Sequence, residues 1–263
     1  MYDCTVAMAE YIAGSEEAFV QMMNTRAKQL GMNDTTFKNC HGIDEDGHVT
    51  SAYDISLMSK ELLNNHPEIT EYTTIWMDSI RDGKSELVNT NKLIRNYQGA
   101  TGLKTGSTSI ALYNLSASAT REGLSLIAVI MKAPTTKVRF SEATKLLDYG
   151  FANYSSKSFG NKGDIIKTVD VNKGIEQQVN VVLEEDASVL IKKGDTGNII
   201  QNVVINENIS APIKQGDILG EIEFKVGDEV ILKKNLFAEK DISKTTMWNI
   251  TTNLYLKWFN MCR

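Results

Sequence analysis

The chain has 263 residues, of which 42% are hydrophobic and 23% are charged, and its formal net charge is −5. This composition is typical of a soluble globular protein and excludes a disordered chain, a collagen and a multi-span membrane protein. The acidic balance also argues against a nucleic-acid binder, since phosphate contacts need a basic face.

Three helices are predicted in the first 65 residues. The first is expected to end at Gly14, and Ser15 is a suitable N-cap for a second helix that ends at Gly31. A third helix is predicted from Ser51, with Asp54 at its third position as in a capping box. The apolar residues that recur at helical spacing are Val6, Ala9, Ala13, Phe19, Met22, Met23, Ala27, Leu30, Ile55, Met58, Leu62 and Leu63.

The segment 41–48, between the second and third helices, contains two glycines and three acidic residues. Its composition predicts turns within a structural loop. A calcium loop of the EF-hand type needs a third acid before the glycine and a glutamate after it, so the segment fits that pattern only in part.

The clearest strands are predicted after residue 110. Residues 70–103 contain short polar and β-branched runs and are expected to be irregular. Residues 111–120 alternate in polarity, a turn follows at 121–123, and residues 124–131 form a β-rich apolar run. This pattern predicts an antiparallel hairpin that is largely buried. The residues expected on one side of its first strand are Leu115, Ala117 and Ala119.

Residues 139–149 are predicted to form a helix that Gly150 ends. The residues expected to face inward are Ala143, Leu146 and Leu147. From 160 to about 240, short Val/Ile segments alternate with Gly-Asp turns, which is typical of a small all-β sandwich or barrel. Residues 245–263 carry an apolar helical stripe, which fits either an amphipathic helix in a membrane interface or a terminal helix packed on the protein.

The strongest chemical signal is Lys104-Thr105-Gly106, which lies on a predicted strand just before the hairpin. The tripeptide alone is weak, but its position before two strands and a helix gives it weight. Lys-Thr-Gly belongs, with Ser-x-x-Lys and Ser-Asp-Asn type motifs, to the signature of β-lactamases and penicillin-binding proteins.

Further segments make this resemblance specific. They are Val6–Ser15, Phe19–Asn24, Leu30-Gly31-Met32, His41-Gly42-Ile43-Asp44, Ser51-Ala52-Tyr53-Asp54, Tyr113-Asn114-Leu115 and Ala117-Ser118-Ala119-Thr120. Together with Lys-Thr-Gly they resemble the D-alanyl-D-alanine carboxypeptidases, the low-molecular-mass penicillin-binding proteins. The resemblance covers essentially the whole chain.

The resemblance implies an α+β fold in three parts. Residues 1–155 would be the C-terminal portion of a transpeptidase-like (β-lactamase-like) domain. Residues 160–240 would be a small all-β sandwich domain, and residues 245–263 an amphipathic helix that associates with the membrane.

The resemblance also implies a serine peptidase that removes the terminal D-alanine from peptidoglycan stem peptides through an acyl-enzyme. Lys104, Thr105 and Gly106 would be its third motif, with Lys104 as the catalytic member present in this chain. The backbone N–H of Ser107 would be one oxyanion-hole donor. Arg139 would help to bind the terminal carboxylate of the substrate.

The implied partners are a peptidoglycan pentapeptide ending in D-Ala-D-Ala, β-lactams if the complete site is restored, and a membrane surface. No nucleic acid, cofactor or metal is indicated. The expected location is the cell envelope, on the outer face of the cytoplasmic membrane, although the sequence shows no signal peptide. Cys4, Cys40 and Cys262 have scattered spacings and are predicted to be free or buried thiols.

The family's nucleophile motif is missing from the sequence. No serine has a lysine three places on, whereas Thr25, Thr35 and Thr101 do, each away from the family's position. Its first motif would lie upstream of residue 1 and its Ser-x-Asn motif just before Asp3. The sequence is therefore expected to be N-terminally truncated and unable by itself to perform acyl transfer.

Three interpretations follow from this missing motif. The chain is a fragment of a normal carboxypeptidase, a non-catalytic peptidoglycan-binding protein, or a half that works with a separately encoded N-terminal part. A β-lactamase is disfavoured by the β-rich second domain and the terminal anchor.

Overall fold

The computed structural model describes residues 2–194, 199–227, 229–248 and 251. The chain divides into two compact units, residues 1–153 and 154–263. Each unit is described by itself.

Three helices open the first unit: α1 (Tyr2–Ala13), α2 (Glu16–Gln29) and α3 (Ala52–Asn65). The predicted caps are confirmed. Gly14 follows α1 with a φ of 82°, a left-handed conformation that glycine adopts without strain. The Ser15 hydroxyl accepts a hydrogen bond from the backbone N–H of Ala18 at 3.1 Å, and the Ser51 hydroxyl accepts from Asp54 N at 3.2 Å.

The capping box predicted at the start of α3 is only half formed. The Asp54 side chain is 1% exposed and accepts hydrogen bonds from Asp34 N at 2.9 Å and Thr35 Oγ1 at 2.6 Å. Buried carboxylates need such donors, because burial without them is costly. Asp54 therefore ties α3 to the loop that follows α2.

The region 70–103, predicted to be irregular, is largely ordered. Its elements are α4 (Ile69–Thr73), β1 (Met77–Ile80), β2 (Ser85–Val88) and α5 (Leu93–Asn96). Strands β1 and β2 pair with each other as a hairpin, and most of their residues are exposed. A hairpin with no buried face lacks the periodic apolar signal from which strands are predicted. The prediction that residues 70–103 are irregular was wrong for this reason.

A three-stranded antiparallel sheet follows, with the order β3 (Ala100–Thr108), β4 (Leu112–Arg121) and β5 (Leu124–Ala133). The predicted hairpin of β4 and β5 is confirmed. Leu115, Ala117 and Ala119 are buried as expected, and Ser116 and Ser118 on the other face are buried too. β4 is therefore covered on both faces, which fits its central place in the sheet.

The helix after the sheet, α6 (Thr136–Asn153), runs past Gly150, which was predicted to end it. A Cβ atom at Gly150 would lie 2.5 Å from Leu126 Cδ1 on β5, so glycine allows close packing of helix and strand at this point. Ala143 and Leu147 are buried as predicted, whereas Leu146 is 50% exposed and its inward placement was wrong.

The second unit is rich in β-structure, as predicted. Its strands are β6 (Tyr154–Gly160), β7 (Ile165–Asp170), β8 (Gln178–Leu183), β9 (Ala187–Lys192), β10 (Ile199–Ile205), β11 (Ile218–Val226) and β12 (Glu229–Ala238). Five strands form one sheet in the order β10-β11-β12-β8-β7, and β6 pairs with β9. Ala187 of β9 joins the core that contains Phe224 and Leu236 of the larger sheet.

The amphipathic helix predicted for 245–263 falls mostly outside the described residues. Within the described ranges, no helix is long and apolar enough to cross a membrane. Cys4 is an exposed free thiol and Cys40 a half-buried one, while Cys262 is among the residues not described.

Candidate functional site

The Lys104-Thr105-Gly106 motif lies in the middle of β3, which has a neighbouring strand on one side only within the described sheet. Lys104, Gly106 and Ser107 are exposed, whereas Thr105 is 7% exposed. The Lys104 Nζ atom donates a hydrogen bond to the carbonyl oxygen of Thr105. The edge of β3 thus presents a cation and a run of accessible backbone.

Arg139, in the first turns of α6, reaches this strand. Its Nη1 atom donates to the carbonyl oxygens of Gly106 at 3.3 Å and Asn114 at 3.1 Å. The guanidinium carbon lies 5.6 Å from the ring centroid of Tyr113 and 4.7 Å from that of Phe140, which are cation–π distances. The structure therefore brings Arg139 next to Lys-Thr-Gly, 33 residues away in sequence.

Arg139 is buried, being 6% exposed, and its Nε atom has no hydrogen-bond partner among the described residues. Burial lowers the pKa of Arg139 from its ordinary value. The pKa of Lys104 is lowered as well, first by partial desolvation of its ammonium group and then by the charge of Arg139. Within the described part of the chain neither cation forms an ion pair, so the site has an excess of positive charge that a bound anion would neutralise.

The free edge of β3 is held by a polar segment that sequence analysis missed, Asn89–Asn91. The carboxamide of Asn91, which is 1% exposed, donates to the carbonyl oxygen of Gly102 at 2.8 Å. The hydroxyls of Thr90 and Thr105 lie 2.6 Å apart. The Asn-Thr-Asn sequence is a short polar run with no periodicity, so it indicated only a loop.

The 41–48 loop meets the other end of β3. The Asp44 carboxylate accepts from Thr108 Oγ1 at 2.6 Å and from Ile110 N at 3.3 Å. The loop and the turn after β3 border a cavity of about 980 Å³, which also has Asn114 and Lys132 in its lining. The loop prediction is confirmed, and Asp44 has a structural contact at the end of the strand.

Cys40 and Glu16 contact each other at the start of the same loop. The Glu16 carboxylate accepts hydrogen bonds from Cys40 N at 3.1 Å and Cys40 Sγ at 3.2 Å, and these bonds lower the pKa of Glu16. His41 Nε2 lies 3.8 Å from the same carboxylate. In the described ranges, no group of three or more His, Cys, Asp or Glu side chains could hold a metal ion.

Comparison with known proteins agrees with this arrangement. The sequence profile of a family described as D-alanyl-D-alanine carboxypeptidase matches residues 2–135, and a profile described as the C-terminal domain of penicillin-binding protein 5 matches residues 154–244. The D-alanyl-D-alanine carboxypeptidase DacF of Bacillus subtilis is 42% identical over 246 residues, which cover 92% of this chain and 63% of that protein.

Two solved structures extend the comparison. Penicillin-binding protein 5 from Haemophilus influenzae superposes with a TM-score of 0.73 at 31% identity, covering 92% of this chain and 71% of that one. Penicillin-binding protein D2 from Listeria monocytogenes, in its cefotaxime-bound form, gives a TM-score of 0.53 at 35% identity, covering 57% of this chain and 61% of that one.

The fold is therefore that of a penicillin-binding protein with a β-rich second domain. The chain belongs to the D-alanyl-D-alanine carboxypeptidase family, and this confirms the resemblance found in the sequence. It spans about 63% of the length of its Bacillus subtilis relative.

Proposed function

We propose that this chain supplies the carboxylate-binding side of a D-alanyl-D-alanine carboxypeptidase site. In this proposal Lys104, Thr105 and Arg139 bind the terminal carboxylate of a peptidoglycan stem peptide that ends in D-Ala-D-Ala. The observation that carries the proposal is the buried guanidinium of Arg139, which lies against Gly106 and whose Nε has no hydrogen-bond partner in the described part of the chain.

The physical reason is the cost of burying a charge. A buried cation is destabilising unless an anion or several hydrogen-bond acceptors compensate it. Arg139 has two carbonyl acceptors and no carboxylate partner in the described part of the chain. A ligand carboxylate would complete its hydrogen bonding and would also reduce the repulsion between Arg139 and Lys104.

In the proposed reaction of the complete enzyme, a serine attacks the carbonyl carbon between the two D-alanines. D-alanine leaves, and water then releases the shortened peptide from the acyl-enzyme. The backbone N–H of Ser107 would donate to the developing oxyanion. The cefotaxime-bound form of the Listeria relative supports the further proposal that β-lactams occupy the same site when it is complete.

We further propose that a polypeptide of these 263 residues does not carry out this reaction, because none of its serines has the lysine that activates the nucleophile three places on. Incubation of the purified polypeptide with a fluorescent penicillin tests this. The expected result is no label after boiling in detergent. Stoichiometric labelling that survives boiling would refute the proposal.

Binding without turnover can be measured separately. A tripeptide ending in D-Ala-D-Ala is titrated into the isotopically labelled polypeptide and followed by NMR, with the C-terminal amide of the same peptide as the control. The acid is expected to bind more tightly, and Arg139→Met is expected to reduce the difference, since Lys104 and Thr105 remain. Equal binding of acid and amide by the unmodified polypeptide would refute the carboxylate site.

Two alternative functions also fit the missing serine–lysine pair. The chain could be a non-catalytic peptidoglycan-binding protein, or a half that complements a separately encoded N-terminal part. Penicillin labelling distinguishes the two. Label that appears only after an N-terminal part containing Ser-x-x-Lys is added would support complementation. Peptide binding that never leads to label would support the binding protein.

The proposed location is the outer face of the cytoplasmic membrane, with residues 245–263 on the membrane surface. The family membership and the apolar stripe of that segment support it. Sedimentation with anionic lipid vesicles, compared between the full polypeptide and one ending at residue 244, tests the contact. Equal sedimentation of the two would refute it.

A further inference from the structure

The hydroxyl of Thr105 has a neighbour that the family resemblance did not assign. Thr90 Oγ1 lies 2.6 Å from Thr105 Oγ1, which is a normal distance for an O–H···O hydrogen bond. Thr105 is buried on β3, whereas Thr90 is exposed and comes from the Asn89–Asn91 segment. Each hydroxyl has one proton to donate and two lone pairs to accept, so one of the two must be the donor in this pair.

The direction of this hydrogen bond decides what Thr105 can bind. If Thr105 donated to Thr90, it would present only lone pairs to a carboxylate and would repel it. If Thr90 donates, the proton of Thr105 stays available for the carboxylate. We infer that Thr90 is a positioning residue that donates to Thr105 Oγ1 and so directs the Thr105 proton toward the ligand carboxylate, an inference that rests on the proposed function.

The segment around Thr90 is well held, as a positioning role requires. On one side, the Asn89 carboxamide donates to the carbonyl oxygens of Thr73 at 3.0 Å and Ile75 at 2.9 Å. On the other side, the buried Asn91 carboxamide donates to the carbonyl oxygen of Gly102 at 2.8 Å. Thr90 therefore lies between two anchored residues.

The expected effect follows from the hydroxyl rotor. A free Thr105 O–H would sample about three staggered orientations, of which one suits the carboxylate. Loss of the Thr90 donor should therefore weaken binding of the peptide acid about threefold. The hydrogen bond from Thr90 also polarises the Thr105 hydroxyl, and the loss of this effect raises the total to no more than about tenfold. Loss of the Thr105 hydroxyl itself should weaken binding roughly tenfold or more, since it removes a bond to a charged group.

The test uses the NMR titration of the D-Ala-D-Ala tripeptide and its amide on the 263-residue polypeptide. The variants are Thr90→Val, which keeps the shape and removes the donor, Thr90→Ser, which restores it, Thr105→Val, and the double variant. The matched control is Thr101→Val. Thr101 lies on β3 with Thr105 but outside Lys-Thr-Gly, and its hydroxyl pairs with Ser118 Oγ of β4 at 2.8 Å.

The inference predicts that Thr90→Val weakens binding of the acid about three- to tenfold and changes binding of the amide less than twofold. Thr90→Ser and Thr101→Val should bind the acid like the unmodified chain. The double variant should bind it like Thr105→Val, since Thr90 acts only through Thr105.

Three results would overturn the inference. If Thr90→Val binds the acid normally while Thr105→Val does not, the positioning role is wrong and the carboxylate site stands. If Thr90→Val weakens acid and amide equally, the contact is structural. If the unmodified chain does not distinguish acid from amide, the proposed function fails, and the inference fails with it.

Discussion

Replacement of Asn91 by alanine should destabilise the first unit more than any other single asparagine-to-alanine change on the free edge of β3. Its carboxamide nitrogen donates to the Gly102 carbonyl oxygen at 2.8 Å, and its carboxamide oxygen accepts from Leu93 N at 3.2 Å. With the side chain 1% exposed, water has no ready access to either partner. Asn91→Ala would therefore leave one carbonyl and one N–H buried and unpaired.

The magnitude follows from these two groups. Each buried polar group left without a partner costs about 1–3 kcal/mol, which gives about 2–6 kcal/mol for the pair. Partial relaxation and water entry into the space left by the carboxamide reduce this to about 2–4 kcal/mol. The same change at the exposed Asn96, the last residue of α5, should cost less than about 0.5 kcal/mol.

Asn91→Asp provides a second measurement with a pH dependence. The new carboxyl would face the Gly102 carbonyl oxygen, which favours its protonated form and raises its pKa above the unfolded value of about 3.9. The folded state then binds more protons than the unfolded state, so stability falls as the pH rises through and above that value. The deficit of Asn91→Ala should be independent of pH over the same range.

The assay is urea unfolding of the full polypeptide combined with hydrogen exchange of peptides from β3 and α5. A loss in Asn91→Ala below about 0.5 kcal/mol, with unchanged exchange in β3, would refute the reasoning. A loss confined to the second unit would refute it as well, because Asn91 belongs to the first.

Other predictions concern contacts away from this segment. Ser59 Oγ and Ser116 Oγ lie 2.8 Å apart in the buried contact of α3 with β4. Ser59→Ala should lower the free energy of unfolding, measured in urea, by about 1 kcal/mol. The double variant with Ser116→Ala should lose less than the sum of the two single variants, and strict additivity would contradict this. Hydrogen bonds from Cys40 lower the pKa of Glu16. The ionised carboxylate therefore stabilises the folded state above the ordinary Glu pKa, and this stabilisation is lost as the pH falls toward the lowered pKa. Glu16→Gln should remove that part of the pH dependence of the free energy of unfolding, measured in urea at acid pH. A pH dependence identical to that of the unmodified chain would contradict this prediction. Arg139→Met should raise the pKa of Lys104 only part of the way to its ordinary value, since desolvation is the larger cause of the shift. An NMR titration in which the pKa of Lys104 falls in this variant would contradict the prediction.

Local signals in the sequence predicted much of the first unit. The caps Ser15 and Ser51 and the hairpin of β4 and β5 depend on neighbouring residues, and the structure confirms them. Gly150 was misinterpreted because glycine ends many helices. Here it fits a close approach between α6 and Leu126, a contact between residues 24 positions apart that no local pattern records.

The sequence alone determined the family of this protein and the division into a mixed helix-and-strand part and a β-rich part. Motifs such as Lys104-Thr105-Gly106 and the alternating pattern of strands consist of neighbouring residues, so they can be recognised without the fold. Only the tertiary structure decided that Arg139 is buried against Gly106 and that Thr90 meets Thr105. Both contacts join segments that are 15 or more residues apart, and they form because the fold removes water from Thr105 and from Arg139 Nη1, whose hydrogen bonds are then made within the protein.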